Sequence, residues 1–150
     1  MDGVHVRVDL PDRSGRQQII DIHSGQLRER GCVDIEALAA LRSGALAAAT
    51  EGYSGAEIAG LLRSASSFAL ERYVDHALLN GWMPGTDIGS SSRASKRNLE
   101  VSFSDLRQAL LEIEEETAGS RRRVSWIGKR RKLAKLDRLT RKAVGDLRER

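Results

Sequence analysis

The amino-acid sequence predicts a mainly α-helical protein: a four-helix bundle with a short N-terminal strand, a short strand before the fourth helix, and an extra C-terminal basic helix. Aromatic residues make up only 4% of the 150 residues, and the apolar residues are mostly aliphatic, which favours helices over sheets. Apolar positions recur at intervals of three and four along five segments. A chain of this length can bury a core of its own, so we expect one helical domain.

The N-terminal region predicts a strand and then a helix. Residues 4–10 alternate between apolar and polar side chains, which is the period of a strand. Asp12 is a favourable N-cap for a helix that continues to about Arg30, and Gly31 is a suitable stop. One face of this helix carries three aliphatic residues and a histidine: Ile19, Ile20, His23 and Leu27.

Two further helices follow. The second is predicted to begin at Asp34, and residues 42–44 either break or lengthen it. Its inward-facing residues are expected to be Ile35, Leu38, Ala39 and Leu41. The third helix begins at Ser54 and extends to about Leu79. Its buried stripe is expected to consist of Ile58, Leu62, Ala65, Ala69 and Tyr73.

The start of the third helix carries a capping motif. Ser54 and Glu57 have the S-x-x-E spacing of a capping box. Gly55 and Ala56 form the first turn, and their small side chains leave the backbone open to a flat ligand. The pattern by itself is also explained by a well-capped helix without a ligand.

A loop, a short strand and a fourth helix are predicted next. Residues 80–96 are rich in Gly, Pro, Ser and charge without a period, which indicates a loop. Residues 99–103 have the composition of a short strand, and Ser104 is expected to cap the fourth helix. Its inward-facing residues are Leu106, Leu110 and Ile113. The acidic residues Glu112, Glu114, Glu115 and Glu116 are expected to form a solvated face.

The last thirty residues differ in charge from the rest of the chain. Residues 121–150 contain 13 Lys/Arg and 3 Asp/Glu, a net charge of +10, whereas the other 120 residues have a net charge of −6. Leucines and an alanine recur at threes and fours, which predicts a basic amphipathic helix: Leu133, Leu136, Leu139, Ala143 and Leu147. Three roles are open: docking into a partner protein, attraction to anionic lipid or nucleic acid, or a solvated extension. The acidic body disfavours nucleic acid.

The order of these motifs resembles the C-terminal lid subdomain of AAA+ ATPases. The residues that carry the resemblance are Leu10-Pro-Asp12, Gly15-Arg16, Ile22-His23, Val33-Asp-Ile35 and Tyr53-Ser-Gly-Ala-Glu57. Residues 60–72, GLLRSASSFALER, are similar to the first ATPase module of the vesicle-fusing (N-ethylmaleimide-sensitive fusion) ATPases. The resemblance divides the chain into residues 1–11, the terminal strand of a missing AAA+ core; residues 12–118, the lid; and residues 119–150, the basic tail.

The resemblance implies a nucleotide site between the lid and an α/β core. In the family, a histidine of the first lid helix lies near the base and ribose, and here that position is His23. The small residues of the SGAE turn meet the adenine, which here means Gly55 and Ala56. ATP or ADP would be contacted only on its adenine and ribose side, and Mg²⁺ only through the missing core. For His23 the alternative is an ordinary half-buried helix histidine.

Catalytic residues and metal ligands are not predicted in this chain. The sequence has no G-x-x-x-x-G-K-[ST] phosphate loop and no Asp-Glu strand, and the segment that carries the family's arginine fingers would precede residue 1. We therefore expect that the chain alone does not hydrolyse ATP, although the family consists of ATPases. A gene fragment and a truncated paralogue both agree with this pattern.

The resemblance also implies a role in the intact parent protein. The lid would sense nucleotide and pass motion around a hexameric ring during ATP-driven SNARE complex disassembly in vesicle transport. Partners would be the AAA+ core, neighbouring subunits, SNAP adaptors and SNAREs, with an acidic protein or anionic membrane for the tail. The single cysteine and the absence of a signal peptide predict a cytoplasmic, alternatively membrane-peripheral, location. The alternative function is a stand-alone helical protein-interaction module with a basic partner- or membrane-binding helix.

Overall fold

The computed structural model describes residues 9–81, 99–120 and 126–149, and within these ranges the chain forms six helices. They are α1 (Arg13–Glu29), α2 (Ile35–Arg42), α3 (Ala45–Ala49), α4 (Gly55–Leu79), α5 (Phe103–Ser120) and α6 (Trp126–Arg148). The mainly helical fold class is therefore confirmed. Most of the predicted strand over residues 4–10 and of the predicted loop over residues 80–96 lies outside the described residues.

Local capping determines both ends of α1. The Asp12 carboxylate accepts a hydrogen bond from the Gly15 amide at 2.7 Å, as expected for an N-cap. Gly31, just beyond the helix, adopts a φ of +66°, which glycine tolerates and which ends many helices. Ile20 is fully buried, and Ile19 and Leu27 pack against the core. The predicted start, stop and apolar face of α1 are confirmed.

The segment between α1 and α4 forms two short helices. The Asp34 side chain caps α2 by accepting a hydrogen bond from the Ala37 amide at 2.6 Å. Gly44, with a φ of +78°, separates α2 from α3, and all five residues of α3 are buried. The inward position of Ile35 was predicted wrongly, because this residue of the first turn is 60% exposed. The buried face of α2 consists of Ala37, Ala39, Ala40 and Leu41.

Helices α4 and α5 pack against each other. The predicted α4 stripe is buried except for the half-buried Tyr73, and Leu61 joins it. The predicted α5 cap was wrong by two residues, because Ser102 rather than Ser104 caps the helix. The Ser102 hydroxyl accepts a hydrogen bond from the Asp105 amide at 3.2 Å, and Asp105 accepts one from the Ser102 amide at 2.8 Å. This reciprocal pair starts α5 at Phe103.

The predicted strand over residues 99–103 is reduced to one parallel bridge between Val33 and Val101. The Val101 amide donates to the Cys32 carbonyl at 2.9 Å, and its carbonyl accepts from the Asp34 amide at 3.0 Å. The pairing goes no further because α5 begins at Phe103. The bridge joins the start of α2 to the start of α5.

Helix α6 packs on α2, α3 and α5. The predicted amphipathic helix is present, and its apolar stripe packs against the core of the protein itself. Leu136 is fully buried, while Leu133 and Leu139 are partly buried against the core. The stripe leaves the body at its C-terminal end, where Leu147 is 51% exposed. Among the helices of the described part of the chain, none combines the length and apolarity needed to cross a bilayer.

Candidate functional site

The turn that leads into α4 carries the predicted capping box. The Ser54 hydroxyl accepts a hydrogen bond from the Glu57 amide, and the Glu57 carboxylate accepts one from the Ser54 amide, both at 3.2 Å. The two polar side chains therefore bond to the helix itself. Gly55 and Ala56 form the first turn, and Ala56 is exposed.

Gly55 lies where α4 approaches α1. A Cβ atom placed on Gly55 would lie 3.5 Å from Ile19 Cδ1, which is an ordinary van der Waals distance. The small residue thus permits a close approach of the two helices, although packing alone would also accept alanine. Ile19 and His23 are four residues apart and share one face of α1.

A groove of about 430 Å³ between α1 and α4 contains His23. It is lined by His23, Gln26, Leu27 and Arg30 from α1, and by Ala59, Leu62, Arg63 and Ser66 from α4. Because Ile19 meets Gly55 and His23 shares the groove with residues one turn further along α4, the two helices run side by side in the same direction. His23 therefore lies about one helical turn, roughly 5.4 Å, along the groove from the Gly55 turn.

Of the three predicted site residues, His23 lines this groove, whereas Gly55 and Ala56 precede the part of α4 that lines it. His23 is exposed rather than half-buried, so its imidazole is accessible. The groove has an apolar floor of Leu27, Ala59 and Leu62, and its volume lies within the range of small-molecule sites. These features fit a flat purine with a hydrogen-bonding edge, and contact with nucleotide stays a prediction.

The described residues do not bring metal ligands together. Within residues 9–81, 99–120 and 126–149, no group of three His, Cys, Asp or Glu side chains could hold a metal ion. The polar side chains that line the groove include no carboxylate and are suited to an organic ligand or an anion rather than to Mg²⁺: His23, Gln26, Arg30, Arg63 and Ser66. The expectation that Mg²⁺ is held by a separate core stays a prediction.

Comparison with known proteins identifies the part of the chain that contains this turn. Residues 32–80 match the family model of the AAA+ lid domain. The chain carries an AAA+ lid domain. The match covers α2, α3 and α4 and lies inside the predicted lid of residues 12–118, whose outer boundaries stay a prediction. No solved structure is a significant match to the chain.

Vesicle-fusing proteins are among the relatives of this lid domain. Vesicular-fusion protein sec18 of Schizosaccharomyces pombe is 36% identical over 116 residues, which are 73% of this chain and 12% of that protein. Vesicle-fusing ATPase of Dictyostelium discoideum is 43% identical over 72 residues, which are 48% of this chain and 9% of that protein. Vesicular-fusion protein SEC18 of Saccharomyces cerevisiae is 44% identical, with the same coverage. The chain spans about a tenth of these relatives, and the predicted resemblance is confirmed.

A buried polar cluster next to the capped turn was not predicted. Tyr53, which directly precedes Ser54, is 4% exposed and donates its hydroxyl to Glu114 Oε1 of α5. The same carboxylate oxygen accepts a hydrogen bond from Lys132 Nζ of α6. Lys132 Nζ also lies 4.6 Å from the centre of the Tyr53 ring, within cation–π range. We call Tyr53, Glu114 and Lys132 the lid triad.

The lid triad keeps Tyr53 in its neutral form. Burial, reinforced by the hydrogen bond to Glu114 and by its negative charge, raises the pKa of the Tyr53 phenol well above its ordinary value. The solvated position predicted for Glu114 was wrong, since the residue is only 3% exposed. Its spacing of four from the buried Leu110 is the signal that places it on the inner face of α5.

Arg16 is a buried arginine that links α1 to α3. The guanidinium is 6% exposed, and it donates to the Ala47 carbonyl at 2.9 Å and to the Pro11 carbonyl at 3.0 Å. These bonds tie α1 to α3, the helix that precedes the capped turn. Arg16 therefore positions the scaffold of the groove rather than a ligand.

Proposed function

We propose that this chain acts as the nucleotide-sensing lid of an AAA+ ATPase of the vesicle-fusing type. The observation that carries the proposal is the position of His23 about one helical turn from the Gly55–Ala56 turn, on adjacent helices that run in the same direction. These are the residues that the family resemblance assigns to the adenine and ribose. The lid match over residues 32–80 and the vesicle-fusing relatives support the same assignment.

The chemistry of such a site rests on a helix start and an imidazole. Ser54 satisfies the Glu57 amide, so the amides of Gly55 and Ala56 are left to water or to a ligand. An acceptor nitrogen of adenine suits these donors, and the small side chains allow the ring to approach the backbone. The exposed His23 imidazole can bond to a ribose hydroxyl. A separate AAA+ core would bind the phosphates and Mg²⁺ and carry out hydrolysis.

In the intact parent we propose a hexameric ATPase that disassembles SNARE complexes in the cytoplasm with SNAP adaptors. A lid that contacts adenine on one side and the core on the other can change its angle with nucleotide state. Contacts with the neighbouring subunit would transmit that change around the ring. The names of the relatives, which describe vesicle fusion, support this proposal.

A titration of the full chain with ADP, followed by NMR amide shifts, tests the site. We expect binding in the millimolar range because the phosphate contacts are missing, with shifts confined to residues 19–30 and 54–66. AMP should give nearly the same affinity, since the adenine and ribose supply the contacts. Shifts confined to α2 and α6, or no shift at about 10 mM ADP, would overturn the assignment.

Two histidine variants provide the matched comparison. His23→Ala should abolish most of the ADP-induced shifts. His76→Ala, a change at a histidine that is also exposed near the far end of α4, should leave them intact. Equal effects of the two variants would exclude a specific role for His23.

A further inference from the structure

The inner face of α6 is already occupied by the chain itself. Leu136 is fully buried, and Thr140 is 2% exposed. On the same helix, Lys132 bonds to Glu114, and Asp137 pairs with Arg107 at 3.0 Å. Leu133, Leu136 and Leu139 therefore cannot enter the groove of a partner or the hydrocarbon of a bilayer unless the helix leaves the body.

The outer face of α6 is a continuous cationic ridge. Exposed residues recur at threes and fours on the side opposite Leu136, at positions 127, 131, 134, 138, 141, 142 and 145. Four of them are Arg131, Arg138, Arg141 and Lys142, which we call the α6 ridge cations. They span about 16 Å of helix at 1.5 Å per residue. The other three positions are Ile127, Ala134 and Gly145, and the exposed acid Asp146 flanks the C-terminal end of the ridge, four residues after Lys142.

The α6 ridge cations are not neutralised within the described part of the chain. The ion pairs found there involve other cations: Arg28, Arg72, Arg107, Lys129 and Lys132. The acid nearest the middle of α6, Asp137, is already paired with Arg107. Four fixed positive charges on a rigid helix therefore face solvent, whereas residues 1–120 carry a net charge of −6.

The shape and charge of the ridge favour a planar anionic partner. The ridge is convex, while peptides commonly dock into grooves or along strand edges. A flat anionic surface can contact α6 without contacting the acidic body of the protein. A flexible polyanion that wraps around the protein would contact that acidic body as well. Ile127, 57% exposed on the same ridge, adds an apolar tip beside the cations, as found in helices at lipid interfaces.

We propose that the α6 ridge binds anionic phospholipid surfaces by electrostatic contact, with the leucine stripe remaining packed in the protein. Clusters of four or more Lys or Arg on a helix attract such membranes. The helix lies flat on the headgroups, and the association weakens as salt screens the charges. This inference rests on α6 alone and holds whether or not the α1/α4 groove binds nucleotide.

Co-sedimentation of the full chain with vesicles tests the proposal. We expect binding to phosphatidylcholine vesicles that contain about 30% phosphatidylserine, no binding to phosphatidylcholine alone, and release by high salt. Arg131→Gln/Arg138→Gln should weaken binding roughly 30-fold. The matched control, Arg13→Gln/Arg63→Gln, removes two exposed charges on α1 and α4, helices that do not contact α6, and should weaken it less than about threefold. Circular dichroism of both variants verifies folding.

Three results would overturn the proposal. The first is absence of binding to phosphatidylserine vesicles at low salt. The second is an equal loss of vesicle binding in the two double variants, which would show that binding depends on net charge and not on the ridge. The third is binding to duplex DNA that exceeds vesicle binding under the same salt, which would assign the ridge to nucleic acid instead.

Discussion

The α1/α4 side and the α6 side of this protein are stabilised in different ways. The groove side rests on neighbouring helices whose ends are fixed by local caps, such as Asp12 on the Gly15 amide and Ser54 on the Glu57 amide. The α6 side rests on contacts between residues far apart in sequence, including the pair of Arg107 and Asp137. Short motifs therefore predict the first side well, whereas the second depends on tertiary packing.

Tyr53 belongs to both sides. It directly precedes the Ser54 cap and therefore positions the Gly55–Ala56 turn, while its hydroxyl bonds to Glu114 beside Lys132 of α6. A substitution that weakens the packing of α6 should consequently alter the structure of the groove. A substitution confined to the groove should leave the packing of α6 unchanged.

Truncation of Leu136 should have the largest effect. The side chain is fully buried where α6 meets the rest of the bundle, so Leu136→Ala leaves a cavity and should lower the free energy of unfolding by about 2–5 kcal/mol. Leu147→Ala, on the same helix but 51% exposed, should cost less than about 1 kcal/mol. Chemical denaturation measures both values, and similar losses would show that α6 is not docked as described.

Replacement of Glu114 tests the lid triad. Glu114→Gln keeps an acceptor for the Tyr53 hydroxyl but removes the charge that pairs with Lys132, and should cost about 1–3 kcal/mol. Glu115→Gln, a neighbouring change at a side chain that is 72% exposed, should be nearly neutral. Amide shifts at Gly55 should move in the first variant and not in the second. A neutral Glu114→Gln would remove the proposed link between α6 and the turn.

The difference between the two sides also explains which features could be predicted from sequence. The caps at Asp12, Asp34 and Ser54 involve residues three positions apart, so their chemistry is visible in a short window. The α5 cap was misplaced because both Ser102 and Ser104 are suitable residues, and only the bonds with Asp105 decide between them.

Long-range contacts account for the other errors. Glu114 bonds to a tyrosine 61 positions away, so its burial could not follow from the acidic run around it. Helix α3 is an alanine-rich segment of five residues, which is too short to show a helical period in the sequence. It forms because its surroundings bury it completely. The grouping of His23 with Gly55 came from the family resemblance, since periodicity alone does not state which helices are neighbours.

Alkaline pH should destabilise the protein through Tyr53. Its pKa is raised in the folded state, so above the ordinary tyrosine pKa of about 10 the unfolded chain releases a proton that the folded chain retains. The stabilising contribution is fully present below about pH 10 and falls by up to about 1.4 kcal/mol per pH unit above it. Denaturation of the wild type and of Tyr53→Phe across this range measures the difference. A parallel decline in both proteins would contradict it.

A spectroscopic titration isolates the same group. The chain has two tyrosines, so Tyr73→Phe leaves Tyr53 as the only one. Tyrosinate absorbance in this variant should appear together with unfolding, because the buried phenol ionises only when the lid triad opens. Absorbance that rises near pH 10 in a folded protein would show that Tyr53 is accessible.

Removal of the Ser54 cap should have the smallest effect and the most local one. Ser54→Ala deletes the acceptor of the Glu57 amide, and loss of such a cap typically costs about 1 kcal/mol. Ser67→Ala, at an exposed position within α4, removes the same hydroxyl without a cap and should be neutral or slightly stabilising. Hydrogen exchange should accelerate at Gly55–Glu57 in the first variant, while amides of α6 keep their protection. Because α6 is held through Glu114 and Leu136 rather than through the cap, faster exchange in α6 would show that the two sides of the lid open together.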